Sequence, residues 1–264
     1  MKQWQMLAAS IPGAGHLRYG LPCQDAHRVE PLAGGVVAAV ADGLGSAACA
    51  ERGAQVAVNV AITHLQEALA ADQPMDAAIW TQVLQQVFAG AREALVALAA
   101  ADDRAVADYA TTLIVIVVTD EWLALGQLGD GAVVVQGTEG TPVTLSQPQR
   151  GEYANETWPL THPEALAAVY YLCRPEPVQA VALFTDGVQN LCLTAADYTP
   201  YQPFFTPLFT QLAAPLDRAE AEAALAAFLQ SERISKRSDD DKTLVLLGQV
   251  NSVYTDLFCT PVTG

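Results

Sequence analysis

Hydrophobic positions fall into unbroken apolar runs and helical stripes, and the runs repeatedly stop at an aspartate. Val36-Val37-Ala38-Ala39-Val40-Ala41 has no polar member and ends at Asp42-Gly43-Leu44-Gly45-Ser46. A continuous Val/Ala run of this length predicts a strand buried on both faces, with Asp42 at its end where the chain must turn. The arrangement recurs. Residues 180–185 run into Asp186-Gly187, and residues 122–129 run into Asp130-Gly131. Near the C-terminus, Ser238-Asp239-Asp240-Asp241-Lys242 leads into the apolar strand Thr243-Leu244-Val245-Leu246-Leu247.

Between these runs the period changes. From Ser46 onward, Ala47, Ala50, Ala54, Val58, Ala61, Ile62, Leu65 and Leu69 form a mostly small-residue face at helical spacing, suited to lying close on a sheet. Asp72-Gln73-Pro74 ends that helix and opens another, with Pro in a first-turn position and a face of Leu84, Phe88, Ala91, Leu95 and Leu98. Residues 4–10 predict a first strand, residues 113–118 the strongest strand, and residues 243–250 the last. The segment 15–26 reads as a loop punctuated by Gly and Pro. The stretch Ala26-His27-Arg28-Val29 predicts a strand whose hairpin return places Asp25 beside Asp42. Three runs joined by the short turns at Asp120-Glu121 and Gly129-Asp130-Gly131 predict an antiparallel meander. Residues 137–163 read as a long loop or lid, 199–207 as an irregular aromatic insert, and 166–172 as either helix or strand. Asp217 with Glu220 has the spacing of a capping box. Strands and helices are segregated, which predicts an α+β fold with antiparallel sheets and helices packed outside. Residues 1–250 form the expected domain and 251–264 a tail.

Composition narrows what such a fold could do. The 264 residues are 52% hydrophobic, so core material is ample, and 29 acids against 13 bases give a net charge of −16. An acidic balance of this size argues against nucleic-acid or anionic-membrane surfaces, which need basic patches. No run of about 18 or more uncharged apolar residues marks a membrane helix, and the N-terminus lacks a secretory signal core. Five cysteines, odd in number, far apart and without Cys-x-x-Cys, fit reduced thiols in the cytoplasm rather than a disulfide frame or a zinc site. The strand-end acids are the remaining chemistry. Each Asp-Gly taken alone is also an ordinary hairpin turn. Together they can gather oxygen ligands for hard cations such as Mg²⁺ or Mn²⁺. Gly43-Leu44-Gly45-Ser46 lacks the Gly-Lys-Ser/Thr of a nucleotide-binding P-loop.

In order, Gly15-His16-Leu17-Arg18, Gln24-Asp25, Val40-Ala41-Asp42-Gly43-Leu44-Gly45, Thr111-Thr112, Gly129-Asp130-Gly131, Thr185-Asp186-Gly187 and Asp240-Asp241-Lys242-Thr243 make a set. That set resembles the metal-dependent type-2C Ser/Thr protein phosphatases (PPM-type) over roughly residues 5–250. Pro22-Cys23-Gln24-Asp25 and Glu152-Tyr153-Ala154-Asn155-Glu156-Thr157 are similar to a bacterial branch of that family. The resemblance implies a four-layer αββα sandwich of two antiparallel sheets flanked by helices. It also implies two Mn²⁺ or Mg²⁺ ions in an end cleft, with a looser third. In this correspondence Asp42 bridges two metals and Gly43 offers its carbonyl. Asp186 and Asp240 hold the first metal, and Asp130 the third. Asp25 orients metal-bound water and Arg18 binds phosphate. The implied reaction is hydrolysis of phosphoserine and phosphothreonine in a phosphorylated protein substrate that has a cognate kinase. The chain departs from the pattern in four places. Gln24 replaces an acid, Arg18 lies seven residues before Asp25 rather than five, and Gly131-Ala132 replaces Ser-Arg. Leu44 stands where a His would follow Asp-Gly, which makes His16 a candidate general acid. Gln24 and the absent Ser-Arg after Asp130 motivate the alternative reading, a non-catalytic pseudophosphatase that binds a partner. Asp239 and Asp241 compete with Asp240 for the ligand position.

Overall fold

The computed structural model describes residues 3–70, 73–149 and 158–250. The Glu152–Thr157 motif, Asp72 and the tail 251–264 lie outside them. Among the described residues, ten strands form two five-stranded antiparallel sheets. One sheet runs β1 (Trp4–Ile11), β10 (Lys242–Gln249), β9 (Val178–Phe184), β6 (Ala132–Gly137), β7 (Pro142–Ser146). The other runs β2 (Ala26–Leu32), β3 (Gly35–Ala41), β4 (Leu113–Thr119), β5 (Trp122–Leu128), β8 (Tyr170–Pro175).

The two sheets face each other across a dry aliphatic layer. Val36, Ala38 and Val40 of β3 point into it with Ile114 and Ile116 of β4, and Val181, Leu183, Val245 and Leu247 meet them from the opposite sheet. The alternate residues of β3, Val37, Ala39 and Ala41, face outward onto α2 (Ala50–Ala68) and α3 (Ala77–Ala101). That two-sided burial is why this strand has no polar position. The small face of α2 is fully buried at Ala54, Ala57, Val58 and Ala61. On the other flank, α5 (Asp186–Cys192), α6 (Gln202–Leu212) and α7 (Arg218–Gln230) cover the first sheet through Val188, Phe205, Phe209 and Leu225. The result is the four-layer αββα sandwich. α3 is long and apolar enough by length and composition to cross a bilayer, and here its Trp80, Leu84, Phe88 and Leu95 face is buried in the core.

The structure corrects several sequence expectations. Residues 14–19 form a short helix, α1 (Ala14–Tyr19), closed by Gly20 in the left-handed conformation rather than a loop. α3 starts at Ala77, where the Asp76 carboxylate accepts the Ala78 N–H at 2.7 Å, and Pro74 lies before it. Residues 142–146 form β7, so the stretch 137–163 is not all loop, and residues 202–212 are helical. The undecided segment 166–172 is divided between α4 (Ala165–Ala168) and β8. The capping position holds: the Asp217 carboxylate accepts the Glu220 N–H at 3.0 Å. The largest correction concerns the meander. β4 and β5 pair, but β6 pairs with β9 and β7 in the facing sheet. Leu123 and Leu125 of β5 and Val133 and Val135 of β6 therefore meet across the central layer. The short Gly129-Asp130-Gly131 link passes from sheet to sheet, which periodicity within either strand does not distinguish from a hairpin.

Candidate metal centre

The hairpin and the crossing bring the strand-end acids to one end of the sandwich. Ala26 pairs with Ala41, so Asp25 and Asp42 adjoin at the same end of β2 and β3. Asp130 sits on the link between sheets, and Asp186 opens α5 directly after β9. Asp240 immediately precedes Asp241 and β10. Asp42, Asp130, Asp186, Asp240, Asp241 and His16 line a common cleft of about 220 Å³.

The backbone around Asp42 is tied to the Thr111-Thr112 pair. The Asp42 N–H donates to Thr112 Oγ1 at 2.9 Å, and the Thr112 N–H donates to the Asp42 carbonyl at 2.8 Å. Thr111 Oγ1 donates to the same carbonyl at 2.9 Å. Gly43 leaves no room for a side chain. A Cβ there would lie 2.7 Å from the Gln24 carbonyl oxygen and 2.8 Å from that of Ala50. The turn after β3 therefore threads between two backbones, and its glycine is a packing requirement.

Asp25 is buried, and its Oδ2 accepts the Thr185 hydroxyl at 2.7 Å. Thr185 Oγ1 in turn accepts the Thr243 N–H at 3.1 Å. Behind Thr243, Ser10 Oγ lies 2.6 Å from Thr243 Oγ1 and 2.8 Å from His27 Nδ1. Burial pushes Asp25 up to about 8, with Asp241 and Asp186 adding to the shift and the Thr185 and Thr243 hydroxyls opposing it. Asp42 is raised well above the usual carboxylate range by burial and then by Asp25, Asp186, Asp130 and Asp240. Burial, with Asp130 and Asp240, raises Asp186 to about 6. These are like charges crowded out of water, an arrangement that disfavours ionisation unless a cation compensates.

The acidic triplet divides its roles. Both Asp240 and Asp241 line the cleft, but Asp240 is exposed, whereas Asp241 is buried and both its carboxylate oxygens are bonded to the frame. Asp241 Oδ1 accepts the Gly13 N–H at 2.7 Å and pairs with His16 Nδ1 at 2.7 Å, while Oδ2 accepts the Gln24 N–H at 2.5 Å. Lys242 is buried, and its Nζ donates to the Asp240 carbonyl at 2.6 Å, placing one positive charge beneath the acids. Arg18, by contrast, is exposed on α1 and is not among the residues lining the cleft. The helix turns His16 toward the cleft instead. The anchoring roles of Asp241, Thr185, Thr243 and Lys242 were not evident from sequence. The sequence signal for the threonines is their place in Thr185-Asp186-Gly187 and Asp240-Asp241-Lys242-Thr243, which says nothing of their hydrogen bonds.

The donor set suits a hard divalent ion. It consists of carboxylate and amide oxygens, and two buried oxygens on cleft-lining residues, Asp186 Oδ1 and Gln24 Oε1, have no hydrogen-bond partner. Among the described residues no group of three or more His, Cys, Asp or Glu side chains is arranged to hold a metal ion by itself. Mg²⁺-like ions do not need such a group, since they retain several waters and take one or two carboxylates directly.

Comparison with known proteins bears on this geometry. The family model for protein phosphatase 2C matches residues 12–230. Serine/threonine-protein phosphatase 3 of Escherichia coli (strain K12) is 34% identical over 254 residues, covering 92% of this chain and 97% of the relative. The catalytic domain of the serine/threonine protein phosphatase PstP, solved in complex with 2 manganese ions, superposes with a TM-score of 0.60 at 18% identity. That match covers 94% of this chain and 99% of PstP's. RsbX in complex with magnesium superposes with a TM-score of 0.53 at 14% identity, covering 94% of this chain and 100% of its own. The two solved structures share the fold, and the family match spans Asp25, Asp42, Asp130 and Asp186, with the Asp239-Asp240-Asp241 triplet beyond its end. This chain belongs to the protein phosphatase 2C family and is a protein phosphatase.

Proposed function

We propose that the protein is a cytoplasmic phosphatase dependent on Mn²⁺ or Mg²⁺, which hydrolyses phosphoserine and phosphothreonine in proteins phosphorylated by a cognate kinase. The observation that carries this reading is the convergence of Asp42, Asp130, Asp186 and Asp240 on one cleft, with Asp42 and Asp186 held above the carboxylate range by burial and then by the neighbouring acids. PstP with manganese and RsbX with magnesium support the choice of ion. Asp42, Asp186 and Asp240, with the Gly43 carbonyl, would hold two ions, and Asp130 a third. When bound, such ions supply Lewis-acid activation of water and a clamp on the phosphoryl oxygens.

The chain's own residues supply the rest. Asp25, fixed through Oδ2 by Thr185, keeps a buried Oδ1 without a hydrogen-bond partner in the fold, and it stands behind the residues that line the cleft rather than among them. His16 Nδ1 lies 2.7 Å from Asp241 Oδ1, so in the imidazolium form Nε2–H is the group left to give a proton to the departing serine or threonine oxygen, the ring leaving as neutral imidazole. Gln24, tied by its backbone to Asp241, presents a neutral oxygen where the family pattern has an acid. The test is hydrolysis of a phosphoserine peptide with and without Mn²⁺, using wild type, Asp42→Asn and Asp186→Asn. Metal-dependent turnover that falls by about 10³-fold or more in both variants is expected. Turnover unaffected by chelator, or retained in both variants, would sink the reading.

A further inference from the structure

Away from the acids, an apolar pocket of about 200 Å³ opens between α5, α6, α7 and α8 (Glu232–Ser235). Leu191, Phe204, Phe228 and Ile234 form its walls, and the Phe204 and Phe228 rings lie 6.0 Å apart. Arg233 and Arg237 line the same pocket. Both are exposed, and neither has an ion-pair partner among the described residues, whereas neighbouring Lys236 is paired with Glu232 at 2.6 Å. Phe228 and Tyr201 remain 37% and 49% exposed at the rim, so the surface offers aromatic faces as well as charge.

Three features choose the occupant. The volume is below the roughly 300–1,000 Å³ of pockets that enclose a drug-sized ligand, and suits one anchoring side chain from a larger partner. Two unpaired guanidiniums in a chain of net charge −16 are a local inversion of sign, complementary to an acidic segment. The chain's own residues 251–264 contain a single acid, Asp256, and do not match two arginines. The pocket also adjoins the acid cleft along the chain. Leu191 lies on α5, the helix that begins at Asp186, and Arg237 is three residues before Asp240. An occupant would touch both segments that carry those carboxylates.

We infer that this pocket docks an acidic peptide segment of a partner protein, seating one aromatic or leucine side chain against the paired Phe204 and Phe228 rings and pairing two carboxylates with Arg233 and Arg237. The inference goes beyond the phosphatase reading, and its test needs neither metal nor turnover. Fluorescence anisotropy would follow a labelled peptide carrying one Phe flanked by a pair of Glu, beside its Gln counterpart. Saturable binding of the Glu peptide is expected, weaker at high salt and weaker by about tenfold or more for the Gln peptide and for the Arg233→Glu/Arg237→Glu protein. Both arginines are exposed, and circular dichroism checks that the variant is folded. The Tyr201→Ala variant, which keeps the charges, should lose affinity without losing salt dependence. Absence of saturable binding into the millimolar range would overturn the proposal. So would binding indifferent to the double reversal, or binding that appears only after deletion of residues 251–264, which would assign the pocket to the chain's own tail.

Discussion

His16 and Asp241 are joined across 225 residues of sequence by a 2.7 Å contact between Nδ1 and Oδ1, and the imidazole is thereby fixed at the edge of the acid cleft. The same carboxylate oxygen takes the Gly13 N–H, so the start of α1 and the ring it carries are positioned together. If Nε2 serves the leaving oxygen, its loss matters in proportion to how much that oxygen needs a proton. In His16→Gln, kcat for a phosphoserine peptide should fall by about 10²-fold, while turnover of p-nitrophenyl phosphate, whose leaving group is already stable as an anion, falls far less. Equal losses on both substrates would assign His16 to structure.

Thr112 grips the Asp42 peptide from both sides, accepting its N–H and donating to its carbonyl. Thr112→Val keeps the shape and the backbone donor but leaves the Asp42 N–H without its acceptor. An unsatisfied buried donor costs about 1–3 kcal/mol. Urea unfolding of the variant should show a loss of that size. The Asp42 carboxylate also loses its fixed backbone, so the apparent Mn²⁺ affinity measured by calorimetry should weaken alongside stability.

The sequence exposed the members of the acid cluster because each one ends an apolar run, and the end of a strand is a local event. β3 was legible for the same reason: burial on both faces removes every polar residue from 36–41. Sheet membership was not. β5 and β6 have the same kind of apolar run and the same short link whether they pair or cross, and what separates them is which faces meet in the central layer. The roles of Asp240 and Asp241 were undecided because adjacent residues at a strand start differ only in direction. The distinction rests on three donors from residues 13–24 that reach Asp241, all distant in sequence. Arg18 and His16 lie two apart, and only the formation of α1, which residues 14–19 do not advertise, settles which of them lines the cleft.

Gly187 tests how tightly the Asp186 turn is packed against the acidic triplet. A Cβ added there would lie 1.8 Å from the Asp241 carbonyl oxygen, a backbone atom with no rotamer to escape into. Gly187→Ala should therefore destabilise the protein by about 3 kcal/mol or more, since α5 or the start of β10 must shift. Thermal unfolding reads the loss directly. Because that shift separates Asp186 from Asp240, Mn²⁺ should recover less of the unfolding midpoint than it does in wild type.

The crowded carboxylates make metal-free stability depend on pH in a defined direction. Asp25 at about 8 and Asp186 at about 6 both stand above the ordinary Asp value of 3.8, so the folded chain holds protons that the unfolded chain has released. Their contribution is fully present below about pH 4 and is lost as pH rises through about 6 and then about 8. For these groups the metal-free midpoint of unfolding should fall between pH 5 and pH 8, by about 2–4 °C per kcal/mol lost. A bound divalent ion replaces those protons, so Mn²⁺ should raise the midpoint more at pH 8 than at pH 5, and its binding should release protons measurable as a buffer-dependent heat. Asp186→Asn removes one of the repelling charges. It should flatten the metal-free pH profile and raise stability at pH 8, while abolishing turnover. A profile unchanged by this substitution would show that the acids are too well solvated to crowd one another, and would remove the electrostatic reason for a cation in the cleft.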